Sequence, residues 1–273
     1  MKSGRPEGEG EGSTGSTQGP GVDERRLFAR ALADAIADHD ASTLPARLCQ
    51  ACVDLLDITG ASVSLSGGPG TGAVWWSSDP VAAQLAEAQY SLGDGPCQSA
   101  VRLVAPVLAG DLTRGTDARR WPVFAQRAVE LDVRAVFSFP LGSDAVAIGT
   151  LDLYRRDPGP LSERDMAFAF PAGDAITFAL IKIQSAAARG EPVGGSQDPA
   201  RAPGDDGQGM ASWLDAAETG HEEVHYATGM VMVQLRVDPQ HALARLRAYA
   251  FAQGRTVTDV ARDVIARKLT FDE

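Results

Sequence analysis

Cysteine is scarce in this sequence, with three among 273 residues. An odd count cannot pair fully within one chain, which excludes a disulfide-stapled secreted scaffold. No apolar run approaches the roughly 18 residues that a membrane span requires. The first residues, Met-Lys-Ser-Gly-Arg-Pro-Glu, lack the apolar stretch of an export signal. The expectation is a reduced, cytoplasmic protein that does not engage a membrane. Cation excess is lacking too: 25 Lys and Arg stand against 36 Asp and Glu, a net charge of −11. That excludes a uniformly polybasic nucleic-acid coat. Only four histidines occur, and there is no Walker loop, dinucleotide fingerprint or nucleophile elbow. The chain is therefore expected not to be an enzyme, with no cofactor, no metal and no catalytic residue assigned.

What is present divides the chain. Residues 1–21 hold seven glycines and almost nothing apolar, and read as a disordered tail. Residues 188–209 hold six Gly, three Pro and no aromatic, and read as a flexible linker. They separate a body, 22–187, from a C-terminal piece, 210–273. Residues 219–273 carry seven basic and seven acidic side chains, so the net negative charge resides in the rest. A neutral module can still meet a polyanion through one basic face.

The body reads as α+β, an antiparallel sheet covered by helices. Helical spacing of apolar residues runs over 23–37 and 43–58. Ala61-Ser-Val-Ser-Leu-Ser alternates strictly, as a half-buried strand does, and Ala73-Val-Trp-Trp-Ser-Ser is its hairpin partner. A helix follows over 79–90, with Pro80 at its first position. A strand over 106–111, a helix over 121–131 and a second hairpin over 135–141 and 145–154 come next. A long helix over 162–184 opens on Ser162-Glu-Arg-Asp, a capping box, and Pro171 with Gly173 predicts a kink in it.

Leu92-Gly93-Asp94-Gly95-Pro96-Cys97, followed by a short helix and a Pro-Val strand, is similar to the Gly-x-Gly-Pro-Cys segment of bacterial GAF sensors. With the element order, the body resembles a GAF domain over about 160 residues. The resemblance implies a small-molecule or protein signal and a homodimer paired through the flanking helices. Trp75 and Trp76 point to opposite faces of their strand, and with Cys97 they are the candidate ligand-binding residues.

The C-terminal piece predicts three helices, over about 212–235, 239–253 and 258–269, each too short to stand alone. Asp238 caps the second with Pro239 at its first position, Gly254 ends it, and Thr258 caps the third. Ala227-Thr228-Gly229-Met230-Val231-Met232, Ala242-x-x-x-Leu246-x-x-x-Ala250 and Arg255-Thr-Val-Thr-Asp-Val260-Ala261 resemble, in order and spacing, three segments of ANTAR domains. That resemblance implies binding of paired RNA hairpins and prevention of transcription termination. The candidate RNA-binding residues are Ala227, Thr228, Gly229, Met230, Arg245, Arg247, Tyr249, Arg255 and Thr256. Arg247 and Arg255 are expected to flank one RNA loop, with Tyr249 stacking on a base. Thr228 and Thr256 stand where the family carries Lys.

Other constellations carry plainer readings. Cys49-Gln-Ala-Cys52 sits within a helix, with Cys52 on the apolar face of Leu48 and Leu56, and reads as core rather than redox motif. Cys97 at a helix start would favour a thiolate and leaves a GAF-type thiol reductase open. His221 and His225, four apart, form half a zinc site without a third ligand. A DNA-binding three-helix regulator and a protein-interaction module without RNA binding remain as alternatives, although the third helix is short and apolar for a recognition helix.

Overall fold

The computed structural model describes Arg26, Arg30 and residues 44–68, 71–143, 145–189 and 223–271. The predicted tail, most of the helix expected over 23–37, the linker from 190 and residues 210–222 lie outside that set. Arg26 and Arg30 are helical.

Five antiparallel strands form one sheet in the order β2-β1-β5-β4-β3. They are β1 (Gly60–Gly68), β2 (Thr71–Ser77), β3 (Val107–Ala109), β4 (Ala135–Ser143) and β5 (Val146–Arg155). Both predicted hairpins are there, and β1 joins β5 at the centre through Ser62↔Asp152, Val63↔Leu151 and Ser64↔Thr150. Because side chains alternate across a strand, this register divides the sheet into two unlike faces. Ala61, Val63, Phe137, Phe139, Leu151 and Leu153 line one. Against it pack α1 (Leu44–Leu55) and α6 (Glu163–Arg189). Ser162 caps α6, its Oγ accepting the Asp165 N–H at 3.0 Å. The helix runs unbroken through Pro171 to Arg189, two residues beyond the expected end of the body.

The other face carries Ser62, Ser64, Val136, Ser138, Thr150, Asp152 and Tyr154. Over it lie α2 (Pro80–Leu92), α3 (Pro96–Leu103), α4 (Gly115–Arg120) and α5 (Pro122–Glu130). α4 was not expected from the sequence. Asp79 fixes the start of α2: Oδ1 accepts from Val81 N (2.8 Å), Ala82 N (3.0 Å) and the Tyr154 hydroxyl (3.0 Å). Partial burial pushes the Asp79 carboxyl up, but the hydrogen bonds from Ser78, Ala82, Tyr154 and Val81 outweigh it and hold it below the usual range. The alternation in β1 was therefore read correctly, but its polar side is not solvated. Ser62 is only 2% exposed, because helices cover both faces.

The C-terminal module comprises α7 (223–235), α8 (Pro239–Ala252) and α9 (Val257–Ile265). Asp238 caps α8 as expected, accepting from His241 N at 3.0 Å. Gly254, at φ +61°, ends it, with Arg255 N–H bonded to Ala250 C=O at 2.9 Å. The cap of α9 is Thr256, not Thr258. Thr256 Oγ1 accepts from Asp259 N at 3.1 Å and donates to Asp259 Oδ2 at 2.8 Å, while Thr258 is buried in the first turn. Val224, Ala227, Val231, Leu246, Val257, Val260 and Val264 form the core, and Tyr90 of α2 is part of it. Gly229 is exposed on α7, and a Cβ there would meet nothing within 4 Å. Gly229→Ala is expected to raise the module's unfolding free energy by about 1 kcal/mol, read as a higher denaturant midpoint in urea titration.

Candidate functional site

The turn into α3 is built on Gln89. Its Oε1 accepts the Cys97 N–H at 2.7 Å, and a Cβ at Gly95 (φ +136°) would lie 2.7 Å from the same oxygen. This packing sets Cys97 over the polar face of the sheet, 7% exposed. The Thr150 hydroxyl lies 3.3 Å from Cys97 Sγ and 3.2 Å from Asp152 Oδ2. Its single proton can serve only one of them, and the carboxylate is the stronger acceptor. Ser138 stands directly opposite Asp152 in the β4–β5 register. Neither Ser138 Oγ nor Asp152 Oδ1 has a well-formed hydrogen bond.

Burial pushes the Asp152 carboxyl up to about 6, while the neighbouring Ser138, Thr150 and Cys97 groups act against the rise. Burial also pushes the Cys97 thiol well above its usual value, and the charge of Asp152 adds to this. The thiolate expected at a helix start is therefore overruled: desolvation beside a carboxylate outweighs the helix terminus. The cluster offers a protonated thiol, two hydroxyls and a carboxyl that changes charge near neutrality. It can hydrogen-bond a small polar molecule or hold a proton, and it is not arranged as a nucleophile. Cys49 and Cys52 are fully buried on the inner side of α1, and burial pushes Cys52 up to about 12, as core thiols should be.

Of the three predicted ligand residues, Cys97 is part of this cluster. Trp76 packs on the opposite face, against the core under α1 and α6. The side chain of Trp75 lies outside the described residues. Asp152, Thr150 and Ser138 escaped the sequence reading. The available signal was a lone carboxylate inside the apolar strand Thr150-Leu-Asp-Leu-Tyr154.

The nine predicted RNA-binding residues fall into three groups. Ala227 is fully buried and Met230 packs on the module's core. Thr228 donates its hydroxyl to Val224 C=O at 2.6 Å, and Thr256 caps α9. These four are engaged within the module, while Gly229 is exposed on α7. Arg245 is exposed on α8, with half-buried Tyr249 one turn later. Tyr249 meets Phe271 edge-on at 5.5 Å, and Phe271 N–H is held by Gln234 at 3.0 Å. Arg236, Arg267 and Lys268 are exposed on the segments flanking this edge and make no ion pair among the described residues. Arg247 and Arg255 do not flank one open loop. The Arg247 guanidinium lies 5.6 Å from the Tyr90 ring, in the junction with α2. Arg255 is engaged by Asp263 at 2.8 Å and by Asp259 C=O at 3.1 Å. His225 is exposed, and His221 lies outside the described residues.

The architecture is that of an α+β sensor-type domain followed by a helical output module. The GAF domain family model matches residues 38–181, over half of the chain, and the ANTAR domain model matches residues 214–265. The chain belongs to the GAF family and is a GAF and ANTAR domain-containing protein. This pairing supports a regulator of the ANTAR family. No curated protein matches it. Among solved structures it is similar to the GAF domain of an Acinetobacter phosphoenolpyruvate-protein phosphotransferase, with 11% identity, TM-score 0.48, and coverage of 62% of this chain and 99% of that one. It is also similar to the GAF domain of the phosphoenolpyruvate-protein phosphotransferase of Coxiella burnetii, with 10% identity, TM-score 0.47, and coverage of 61% and 98%. A third is free methionine-R-sulfoxide reductase from Neisseria meningitidis in complex with its substrate, with 15% identity, TM-score 0.45, and coverage of 63% and 98%. Among the described residues, no helix is long and apolar enough to cross a membrane.

Proposed function

We propose that this chain is a cytoplasmic, signal-responsive regulator whose ANTAR domain binds RNA hairpins to prevent transcription termination. The observation that carries this reading is the edge formed by exposed Arg245 and half-buried Tyr249, on a module that matches ANTAR domains. Arginine grips phosphate, and an aromatic ring stacks on an unpaired loop base. The GAF domain receives the signal, with the Cys97, Ser138, Thr150 and Asp152 cluster as the site for a small polar molecule. A buried, protonated Cys97 supports a sensing role over a thiol reductase. α9 buries Val257, Val260, Ala261 and Val264, which argues against a DNA recognition helix.

The test is a salt titration of a paired-hairpin RNA against wild type and Arg245→Ala. Loss of one phosphate contact should flatten the slope by roughly 0.7 log units per log salt and weaken binding. An unchanged slope and affinity in folded Arg245→Ala would remove this edge as the RNA site. Equal binding of duplex DNA by wild type would remove the antiterminator reading. Thr228 and Thr256, both occupied within the module, favour a second reading as a protein-interaction module, and total failure to bind RNA selects it.

A further inference from the structure

We infer that the contact between α2 of the GAF domain and the ANTAR domain is an autoinhibitory latch, which keeps part of the arginine face closed to RNA until a signal parts the two domains. The inference rests on the RNA-binding reading above and assigns its regulation.

Three side chains of α2, Tyr90, Ser91 and Glu87, make the contact. Tyr90 is 3% exposed and belongs to the core formed by Val224, Ala227, Leu246 and Val264. Arg247 lies over the Tyr90 ring and on the turn that follows it: a Cβ at Gly93 would come within 2.7 Å of Arg247 Nη1. Ser91 Oγ accepts the Val257 N–H at 3.0 Å and donates to Glu87 Oε1 at 2.9 Å. Thr258 Oγ1 donates to the same Glu87 oxygen at 3.4 Å. Val257 is the first residue of α9, so one of the N–H groups that a helix start leaves without an internal partner is satisfied from the other domain. The junction thus covers Arg247, an arginine that an RNA surface needs in the open.

Beside the contact lies an open cleft of about 570 Å³ between α2, α5 and the turn from α8 to α9. Glu87, Val123, Glu130, Phe251 and Arg255 are among its walls. Arg127 also lines it and pairs with Glu130 at 3.1 Å, so the charged walls balance. The cleft also leaves the junction incompletely packed.

A signal has a physical route to the latch. Gln89 precedes Tyr90 in α2 and is buried, and its side chain holds the Cys97 N–H at 2.7 Å. A rearrangement of the polar cluster that shifts the start of α3 must displace Gln89, on the same turn as Tyr90. Both ends of that turn, one facing the cluster and one facing the ANTAR core, are therefore tied to one short segment.

The experiment uses the full chain, with a paired-hairpin RNA as probe. Tyr90→Ala and Ser91→Arg remove the ring or wedge the junction, and small-angle scattering reports opening as a larger radius of gyration. If the closed form outweighs the open one tenfold, opening should tighten RNA binding about tenfold. Arg247→Ala placed on Ser91→Arg should then cancel that gain while leaving the chain expanded. Near-ultraviolet circular dichroism confirms that each variant is folded. Two results would overturn the latch: no expansion in either variant, or expansion with RNA affinity unchanged. If expanded variants and wild type alike bind no hairpin, the RNA-binding reading fails and takes the inhibitory role with it. Scattering still reports that the domains had parted, so the two failures are distinguishable.

Discussion

Asp152→Asn should make this protein more stable at pH 7.5 by about 3 kcal/mol, and no more stable at pH 4. The reason lies in the raised carboxyl. Burial at the centre of the sheet lifts Asp152 from the ordinary carboxyl value of 3.8 to about 6, and each unit corresponds to about 1.36 kcal/mol. A carboxyl with a raised folded-state value binds its proton more tightly in the folded chain. Folding stability therefore falls as pH rises from about 4 to about 6, and is flat beyond. The cost of the buried charge is fully present above the folded value and absent below the unfolded one. Asparagine keeps the shape and removes the charge. For a domain of this size the gain corresponds to roughly 6–12 °C in Tm. Calorimetry of both proteins at pH 4, 6 and 7.5 checks it. Parallel pH profiles, or a less stable Asn variant at pH 7.5, would show that the carboxylate is not held at this cost.

Retaining such a charge makes sense if the cluster serves recognition rather than stability. A buried carboxyl with one oxygen lacking a well-formed hydrogen bond, beside a hydroxyl in the same state, leaves polar capacity that a bound molecule can use. The same cluster shows why the sequence revealed the sheet and missed the site. Alternation in Ala61-Ser-Val-Ser-Leu-Ser reports the period of a strand, and that was legible. It does not report whether the polar face meets water or a helix. Asp152 sits within an apolar run where a carboxylate has no local partner. Only the β1–β5–β4 register brings it beside Ser138 and under Cys97.

The helix ends were legible because capping is local. Ser162, Asp238 and Gly254 each act within a few residues of themselves. Thr256 was displaced to Thr258 because both lie at suitable spacing, and only the backbone decides between them. Arg247 was misjudged for a different reason. It lies off the apolar stripe of α8 and reads as a surface cation. Tyr90, some 150 residues earlier in the chain, covers it, and no local pattern announces that contact.

If the chain pairs through α6, as the GAF resemblance implies, Phe178→Asp should convert the dimer into a monomer. On α6, Phe170 and Phe178 are 50% and 56% exposed, and Ile181 is 50% exposed. Positions 170, 178 and 181 fall within one narrow arc of a helix at 100° per residue. Lys182 approaches the Phe178 ring at 4.7 Å, yet over half of that side chain remains exposed. A second copy meeting this face by two-fold symmetry would bury each residue twice. A buried Phe contributes about 1.5–3 kcal/mol. Losing it in both copies amounts to about 3–6 kcal/mol, and the dissociation constant should rise by a factor on the order of 10² to 10⁴. Sedimentation velocity across a concentration series should show a wild-type dimer at micromolar concentration and a monomeric variant, with near-ultraviolet circular dichroism showing that the variant is folded. A wild-type monomer at that concentration, or a variant that still dimerises, would remove α6 as the pairing face. The consequence reaches the RNA. Two ANTAR domains on one dimer can engage two hairpins of one transcript, and the second contact then forms at high effective concentration. Phe178→Asp should therefore weaken binding to a paired-hairpin RNA while leaving the affinity for a single hairpin unchanged.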